Sequence, residues 1–204
     1  MTIRLRHAFA HSAVPVAARC AAALLVAGFL LGGGPAGAVM RDADCDDLDI
    51  ALEPAADFRT IECEEGQTTH GGGSGNVGIA SIEAQDALSF IVVYHDRAGV
   101  RTYLKRTDPK QLFGNSLDLD IEDSWSALTS VSNGFTVRTF FGKLKSMSEK
   151  VPCFAFSRYT GHVAHSTGFR HMVGGIYCEV VPSDEPVTAA RIDQMTGKIR
   201  GDMF

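Results

Sequence analysis

Short runs of β-branched and aromatic residues, separated by turn-forming residues, are the feature that most constrains the fold of this 204-residue chain. Apolar and polar residues alternate within several of these runs, which is typical of half-buried strands rather than helices. Strands that follow one another through short connections pair antiparallel. The predicted strands are Phe58–Cys63, Ser89–His95, Val100–Lys105, Leu117–Glu122, Phe135–Lys145, Val151–Tyr159 and Gly175–Val181.

The last part of the chain has the spacing of a short amphipathic helix. Ile192, Met195 and Ile199 fall on one side of a helix that begins at Pro186, behind Ser183–Glu185. Successive hairpins covered by one terminal helix form an α+β arrangement. We therefore predict an α+β fold: an antiparallel β-sheet of about five to six strands, a C-terminal amphipathic helix and a short acidic N-terminal segment.

The sequence also contains two connecting segments between the predicted strands. Asp96–Gly99 has the composition of a turn, which predicts a hairpin between the runs on either side of it. Residues 123–132 fit a helix through Trp125, Leu128 and Val131, but their serines and threonines and the following Asn-Gly pair favour a hairpin. The sequence leaves both possibilities open for this stretch.

The first 38 residues have the three parts of a secretory signal peptide. Residues 1–19 are basic and contain no acid, Cys20–Leu31 is uncharged and apolar, and Ala36–Ala38 provides small residues for cleavage. A membrane anchor is the alternative, but a spanning helix needs about 20 apolar residues and Gly32–Pro35 ends this run sooner. We expect cleavage after Ala38 and no membrane span in the exported product.

Four cysteines follow this segment, as expected for two disulfides in an exported chain. Four cysteines allow three pairings. We favour Cys45–Cys63 and Cys153–Cys178, because each pair is close in sequence and flanked by its own strand-like run. A metal or redox site is the alternative, but the chain has no C-x-x-C spacing. The cysteines therefore indicate a periplasmic or secreted protein, and no cofactor is predicted.

Composition divides the chain into three parts: the signal peptide at 1–38, an acidic lead and Gly-rich loop at 39–78, and a single α+β domain at 79–204. The chain has 24 acidic and 19 basic residues, for a formal charge of −5. Removal of the signal peptide, which holds three arginines and no acid, makes that charge −8. Nucleic acid is excluded as a partner, because phosphate binding requires a basic face.

Two short motifs, C-x-A-F at Cys153–Phe156 and G-I-Y-C at Gly175–Cys178, resemble the C-terminal core of small exported bacterial proteins of uncharacterised function. The resemblance covers only the last quarter of the chain. It implies a structural disulfide and no particular activity. This chain departs from the pattern by inserting Gly161–Met172 between the two strands, and we expect that loop to be the part presented to a partner.

The inserted loop also contains the candidates for chemistry. Ala164–Gly168 matches the A-x-S-x-G form of the nucleophile elbow, with Ser166 as the nucleophile. The histidine should follow the serine, and only His171 does, although His70 or His95 would serve in a convergent arrangement.

The same loop has a histidine pattern that could bind a metal. His162, His165 and His171 form H-x-x-H-x5-H, and imidazoles are ligands of Zn²⁺ and Cu²⁺. Gly161 and Gly168 disfavour the helix that would align the first two. The alternative is a solvated loop whose histidines change charge near pH 6.5.

The sequence favours a non-catalytic binding or envelope-associated accessory module that uses the Gly161–Met172 loop. Its partner would be an unknown protein, glycan or small molecule. The alternative is an exported enzyme, either a hydrolase using Ser166 or a metal-dependent enzyme using His162, His165 and His171. Geometry separates these functions, because each enzyme requires its side chains to converge within hydrogen-bond or ligand distance.

Overall fold

The computed structural model describes residues 39–69, 76–100, 102–114, 119–121, 124–144, 149–164 and 166–204. The predicted signal peptide at 1–38 and the candidate ligand His165 lie outside these residues. In the described part of the chain, one antiparallel sheet dominates the fold, and the helices are few and short.

The strands account for most of the described residues. In chain order they are β1 (Val39–Asp42), β2 (Ile50–Leu52), β3 (Thr60–Thr69), β4 (Asn76–Gln85), β5 (Ser89–Ala98), β6 (Leu104–Lys105), β7 (Leu119–Ile121), β8 (Thr129–Ser130), β9 (Thr136–Leu144), β10 (Lys150–His162), β11 (Gly168–Glu179) and β12 (Ile199–Gly201). The main sheet has the order β1-β3-β4-β5-β11-β10-β9-β7, with β6 beside β11 and β8 beside β9. The remaining two strands, β2 and β12, form a separate pair.

The central strands β5, β10 and β11 are apolar on both faces because both faces are covered. We call one the helix face, since the helix α2 (Ala189–Thr196) and the β2–β12 pair pack on it. We call the other the loop face, since it is covered by the helix α1 (Pro109–Phe113) and the segment around Trp125. Alternation along β5 therefore sends Ile91 and Val93 to the helix face and Phe90 and Val92 to the loop face.

The helix face holds the larger core. Ile192 and Met195 of α2 pack against Phe154 and Tyr177 from the centre of the sheet. Full burial of such side chains contributes about 1.5–3 kcal/mol each. Arg191 also ties the helix to the sheet, because its Nε donates a hydrogen bond to the Tyr177 hydroxyl at 2.7 Å.

The loop face is closed by aromatic packing and one ion pair. The rings of Trp125 and Phe140 lie 4.3 Å apart between centroids, and Phe113 of α1 is buried beside them. Asp108 caps α1 by accepting the Lys110 backbone N–H. Its carboxylate is also bound by the Arg138 guanidinium at 2.7–3.0 Å, which attaches the start of the helix to β9.

Both favoured disulfides are present in the structure. Cys45–Cys63 joins the turn after β1 to β3, with Cα atoms 5.3 Å apart. Cys153–Cys178 joins β10 to β11 at paired positions of the sheet, with Cα atoms 4.1 Å apart. Two disulfides are compatible with an oxidising, exported location.

The sheet is confirmed as antiparallel, but the predicted class and strand number are corrected. The described residues form a β-rich fold with twelve strands, whereas we predicted an α+β fold with five to six. The difference comes from pairing: β1, β3 and β4 extend the sheet beyond β5, and β3 runs to Thr69 rather than ending at Cys63. The β3–β4 and β4–β5 pairings are hairpins between consecutive strands, but the glycines and acids of β3 and β4 obscure the strand pattern.

Three local predictions are settled by hydrogen bonds. The hairpin expected at Asp96–Gly99 is wrong, because β6 pairs with β11 instead of returning along β5. Of the ambiguous 123–132 stretch, the structure describes residues 124–132, in which only Thr129–Ser130 form a strand, and Gly134 (φ +82°) lies in the turn from β8 to β9, as a hairpin requires. The C-terminal helix begins after Thr188 rather than at Pro186, because the Thr188 hydroxyl accepts the Arg191 N–H.

Candidate functional site

The helix face changes from apolar to polar toward one end of the sheet. Along β5 the inward residues run Ile91, Val93, His95 and Arg97, and His171 of β11 is the register partner of Arg97. The β2–β12 pair covers the apolar part of this face, and Cys45 and Leu48 before β2 pack against the edge of the same core. Beyond this cover, His95 and Arg97 of β5 line a cleft.

This cleft, which we call the His-pair cleft, has a volume of about 240 Å³. It lies between the segment before β2 and the inward side of β3, β4 and β5. Its described lining residues are Asp47, Leu48, Asp49, Glu65, Gly66, Gln67, Gly78, Ile79, Ala80, His95 and Arg97. Gly78 leaves space opposite Arg97, since a Cβ atom there would come no closer than 3.9 Å to any Arg97 atom.

One lining residue of the cleft, His95, contacts a second histidine, His171 of β11. His95 Nε2 and His171 Nδ1 are 3.2 Å apart, so one imidazole donates a hydrogen bond to the other. The rings are stacked, with centroids 5.4 Å apart. His95 is only 2% exposed, whereas His171 is half-buried. His95 is therefore a nearly buried lining residue whose ring is held in place by its contact with His171.

The surroundings keep both imidazoles neutral at pH 7. Burial lowers the pKa of His95 to about 4, and the neighbouring His171 contributes to that decrease. Burial also lowers the pKa of His171, and the nearby Arg97 cation acts in the same direction. The cleft thus presents neutral ring nitrogens, which donate or accept hydrogen bonds without adding positive charge.

Charged side chains form the rim. Arg97 binds Asp49 at 3.1 Å, and Arg41 binds Glu65 at 2.5 Å from the adjacent strand. Both ion pairs are well exposed, and pairs of this kind contribute at most about 1 kcal/mol. In the described part of the chain, Asp47 forms no ion pair. The carboxylates at the rim are therefore available to a ligand at little cost.

Ser166, the candidate nucleophile, lies in the turn that joins β10 to β11. Its hydroxyl donates to the Val163 carbonyl at 3.3 Å and accepts the Gly168 N–H at 3.0 Å. These bonds close the hairpin turn, as serine hydroxyls commonly do. His171, its predicted partner, is hydrogen-bonded to His95 instead. The structure does not join Ser166 to a histidine within the described residues.

The three candidate metal ligands are not brought together in the part that the structure describes. His162 is exposed at the end of β10, where its ring meets Phe169 edge-on at 5.6 Å. His171 belongs to the pair described above, and His165 lies outside the described residues. Among those residues, no group of three or more histidine, cysteine or carboxylate side chains could hold a metal ion.

Sequence reasoning missed most of this cleft. One signal was available, because His95 and Arg97 are two residues apart in a strand and must share a face. The contribution of Asp49 and Glu65 was not available, since each reaches the cleft through long-range pairing and packing.

Comparison of the chain with protein-family models, curated protein sequences and solved structures gives no match. The resemblance to small exported bacterial proteins therefore stays a prediction. Among the described helices, none has the length and apolar character needed to cross a membrane. The structural feature on which a function can be proposed is accordingly the His-pair cleft.

Proposed function

We propose that this chain is an exported binding module, without catalytic activity, that holds a small polar ligand bearing a cationic group. The observation that supports this proposal is the His-pair cleft itself, a concave site with convergent polar groups on a disulfide-bonded sheet. The cleft is smaller than the roughly 300–1,000 Å³ typical of sites for drug-sized ligands, so it fits a single small group such as an amino acid.

The charge of the cleft supports a cationic ligand. Three carboxylates line it, from Asp47, Asp49 and Glu65, against the single guanidinium of Arg97. The second guanidinium, from Arg41, binds Glu65 at the edge and leaves the site acidic. His95 adds no positive charge at pH 7, because burial holds its pKa near 4. An ammonium or guanidinium group of a ligand would bind these carboxylates through charge-assisted hydrogen bonds.

Binding is better supported than hydrolysis. The described lining of the cleft contains no hydroxyl or thiol side chain that could act as a nucleophile. Ser166, the only candidate from sequence, makes its hydrogen bonds within its own turn. In the Gly161–Met172 segment, predicted to be a loop, His171 belongs to strand β11 and contacts the cleft through the hydrogen bond with His95.

Titration of the disulfide-intact protein with L-arginine tests the proposal. We expect saturable heat in calorimetry and amide shifts for residues around Gly66, Gly78 and Arg97 in nuclear magnetic resonance spectra. The double variant Asp47→Asn/Glu65→Gln should weaken binding about tenfold, since it removes two charges near the ligand.

The matched control changes charge equally at the other end of the sheet. Asp184→Asn/Glu185→Gln removes two exposed carboxylates far from the cleft in sequence and should leave the affinity for L-arginine unchanged. D-glucose and acetate serve as neutral and anionic probes. Equal binding of all three probes, or equal weakening by the two double variants, would contradict a cation-binding cleft.

A further inference from the structure

A second feature lies at the same end of the sheet but outside the cleft. Val100, Tyr103, Lys105 and Arg106, which we call the tip surface, occupy the connection between β5 and β6 and its continuation. Val100 is 90% exposed and Tyr103 46% exposed, although both are large apolar side chains. The basic residues Lys105 and Arg106 are also exposed. Lys105 is the register partner of Gly168, and Tyr103 contacts that glycine. Arg106 lies over Phe169, so apolar and cationic groups meet at the start of β11.

The tip surface is held in place by the rest of the fold. The Arg170 guanidinium donates to the carbonyls of Gly99 and Thr102 at 2.7 and 3.1 Å. The Tyr103 ring lies against Gly168, where a Cβ atom would come within 2.3 Å of it. The Thr107 N–H donates to the Tyr159 hydroxyl at 3.0 Å. Because these bonds are made in the free protein, docking through this surface costs little ordering entropy.

The positive charge of the tip surface is not cancelled by the acid that follows it in the chain. Asp108 is bound by the Arg138 guanidinium, which holds the pKa of its carboxyl below the usual range. The Arg106 guanidinium lies 5.1 Å above the Phe169 ring, a contact that leaves its charge available. The tip surface is therefore cationic on a chain whose net charge is negative.

The opposite end of the sheet provides a contrast. Leu88 and Val181 are exposed there too, next to each other, since the Val180 N–H donates to the Leu88 carbonyl. The charged residues around them are the acids Asp86 and Glu179 together with the Arg191 guanidinium that pairs with both. Exposed apolar side chains thus occur at both ends of the sheet, but of these two groups only those of the tip surface adjoin cations that form no ion pair within the described residues.

We propose that the tip surface docks the protein on an anionic lipid bilayer. Val100 and Tyr103 would enter the headgroup region, where aromatic and aliphatic side chains are stabilised, while Lys105 and Arg106 bind lipid phosphates. Charge complementarity favours an anionic bilayer, because a neutral apolar partner would leave Lys105 and Arg106 without a counter-charge. The inference goes beyond the proposed function and does not depend on the cleft.

Co-sedimentation with vesicles tests the inference. The disulfide-intact protein should bind vesicles of 70% phosphatidylcholine and 30% phosphatidylglycerol, and bind pure phosphatidylcholine far less. Lys105→Gln/Arg106→Gln should reduce the partition coefficient about thirtyfold, since each cation at an anionic surface contributes about a factor of five. Val100→Asp should reduce it by more than about tenfold, because it removes the apolar contact and adds a negative charge.

Leu88→Asp is the matched control, because it makes the same kind of change at the acidic end and should leave vesicle binding unchanged. Circular dichroism and the thermal midpoint verify that each variant is folded. Equal binding to both vesicle types, or no effect of the tip variants, would overturn the proposal. Binding to soluble dextran sulfate without binding to anionic vesicles would also overturn it and assign the surface to a polyanion.

Discussion

The two ends of the helix face are built from the same strands, but one end is covered by a second layer and the other is open. At one end, Val93 of β5 and Tyr177 of β11 are buried under α2 and the β2–β12 pair. At the other end, the same strands place His95, Arg97 and His171 on the same face, and the cover stops. The first end is a packed core, and the second is an open polar cleft.

The contrast shows that the extent of the cover, rather than the strand, decides where this sheet can bind a ligand. Apolar side chains lie where a second layer excludes water, because their burial supplies most of the stability. Polar side chains lie on the last inward positions, where water or a ligand can satisfy them. The covered and open ends should therefore respond differently to substitution.

The largest difference is expected for truncation of the core. Phe154→Ala removes a fully buried ring from the covered end, which should reduce the free energy of unfolding by about 3–5 kcal/mol. Arg97→Ala at the open end should reduce it by less than about 1 kcal/mol, since its ion pair is exposed. Urea denaturation measures both values. Similar losses for the two variants would contradict the division into a core and a site.

The two disulfides provide a second comparison. Replacing either pair by alanines should reduce the free energy of unfolding by about 3 kcal/mol, because each closes a loop of similar length. Only Cys45→Ala/Cys63→Ala should also weaken L-arginine binding, since Cys45 fixes the turn that carries Asp47. Calorimetric titration distinguishes the variants. Equal weakening by Cys153→Ala/Cys178→Ala would show that the rim does not depend on the nearby bond.

Much of the covered end could be predicted from the sequence, and little of the open end. The strands around Val151–Tyr159 and Gly175–Val181 follow from local pattern, because their residues are core. Both cysteine pairs follow from their short spacing, although Cys45–Cys63 lies beside the open end. The β3–β4 hairpin could not be predicted, because its glycines and acids carry no strand pattern. The cleft brings Asp49, Glu65 and His95 together through strand register and packing, which a single sequence does not encode locally.

A decrease in pH should change the folding stability in opposite directions through one residue on each face of β5. His95 has a pKa lowered to about 4 by burial, so the unfolded chain binds its proton first and stability falls as the pH decreases from 6.5. Asp96, on the loop face, has a pKa raised to about 7 by burial. The folded state therefore binds that proton first, and stability rises as the pH decreases from 7 toward 3.8.

Single variants separate the contributions of His95 and Asp96 to the pH dependence of stability, which oppose each other in the natural chain. Relative to the double variant His95→Leu/Asp96→Asn, Asp96→Asn alone should lose about 2 kcal/mol of unfolding free energy between pH 6.5 and 4.5. His95→Leu alone should gain stability over the same interval. Urea denaturation at the two pH values gives the slopes. Slopes of equal sign for the two single variants would contradict the assigned protonation states.

The smallest effect on stability, and the sharpest on function, is expected at Gly78. A Cβ atom at this position meets only Arg97, at 3.9 Å, so alanine fits the folded backbone without strain. Gly78→Ala should change the free energy of unfolding by no more than about 1 kcal/mol, in the stabilising direction, because alanine loses less backbone entropy than glycine in a strand. The added methyl group nevertheless occupies cleft volume beside Arg97 and should weaken L-arginine binding several-fold. Thermal unfolding measures the stability of this variant, and calorimetric titration measures its affinity for L-arginine. Increased stability with weaker binding would support a ligand site at the open end. Unchanged affinity would place the ligand elsewhere.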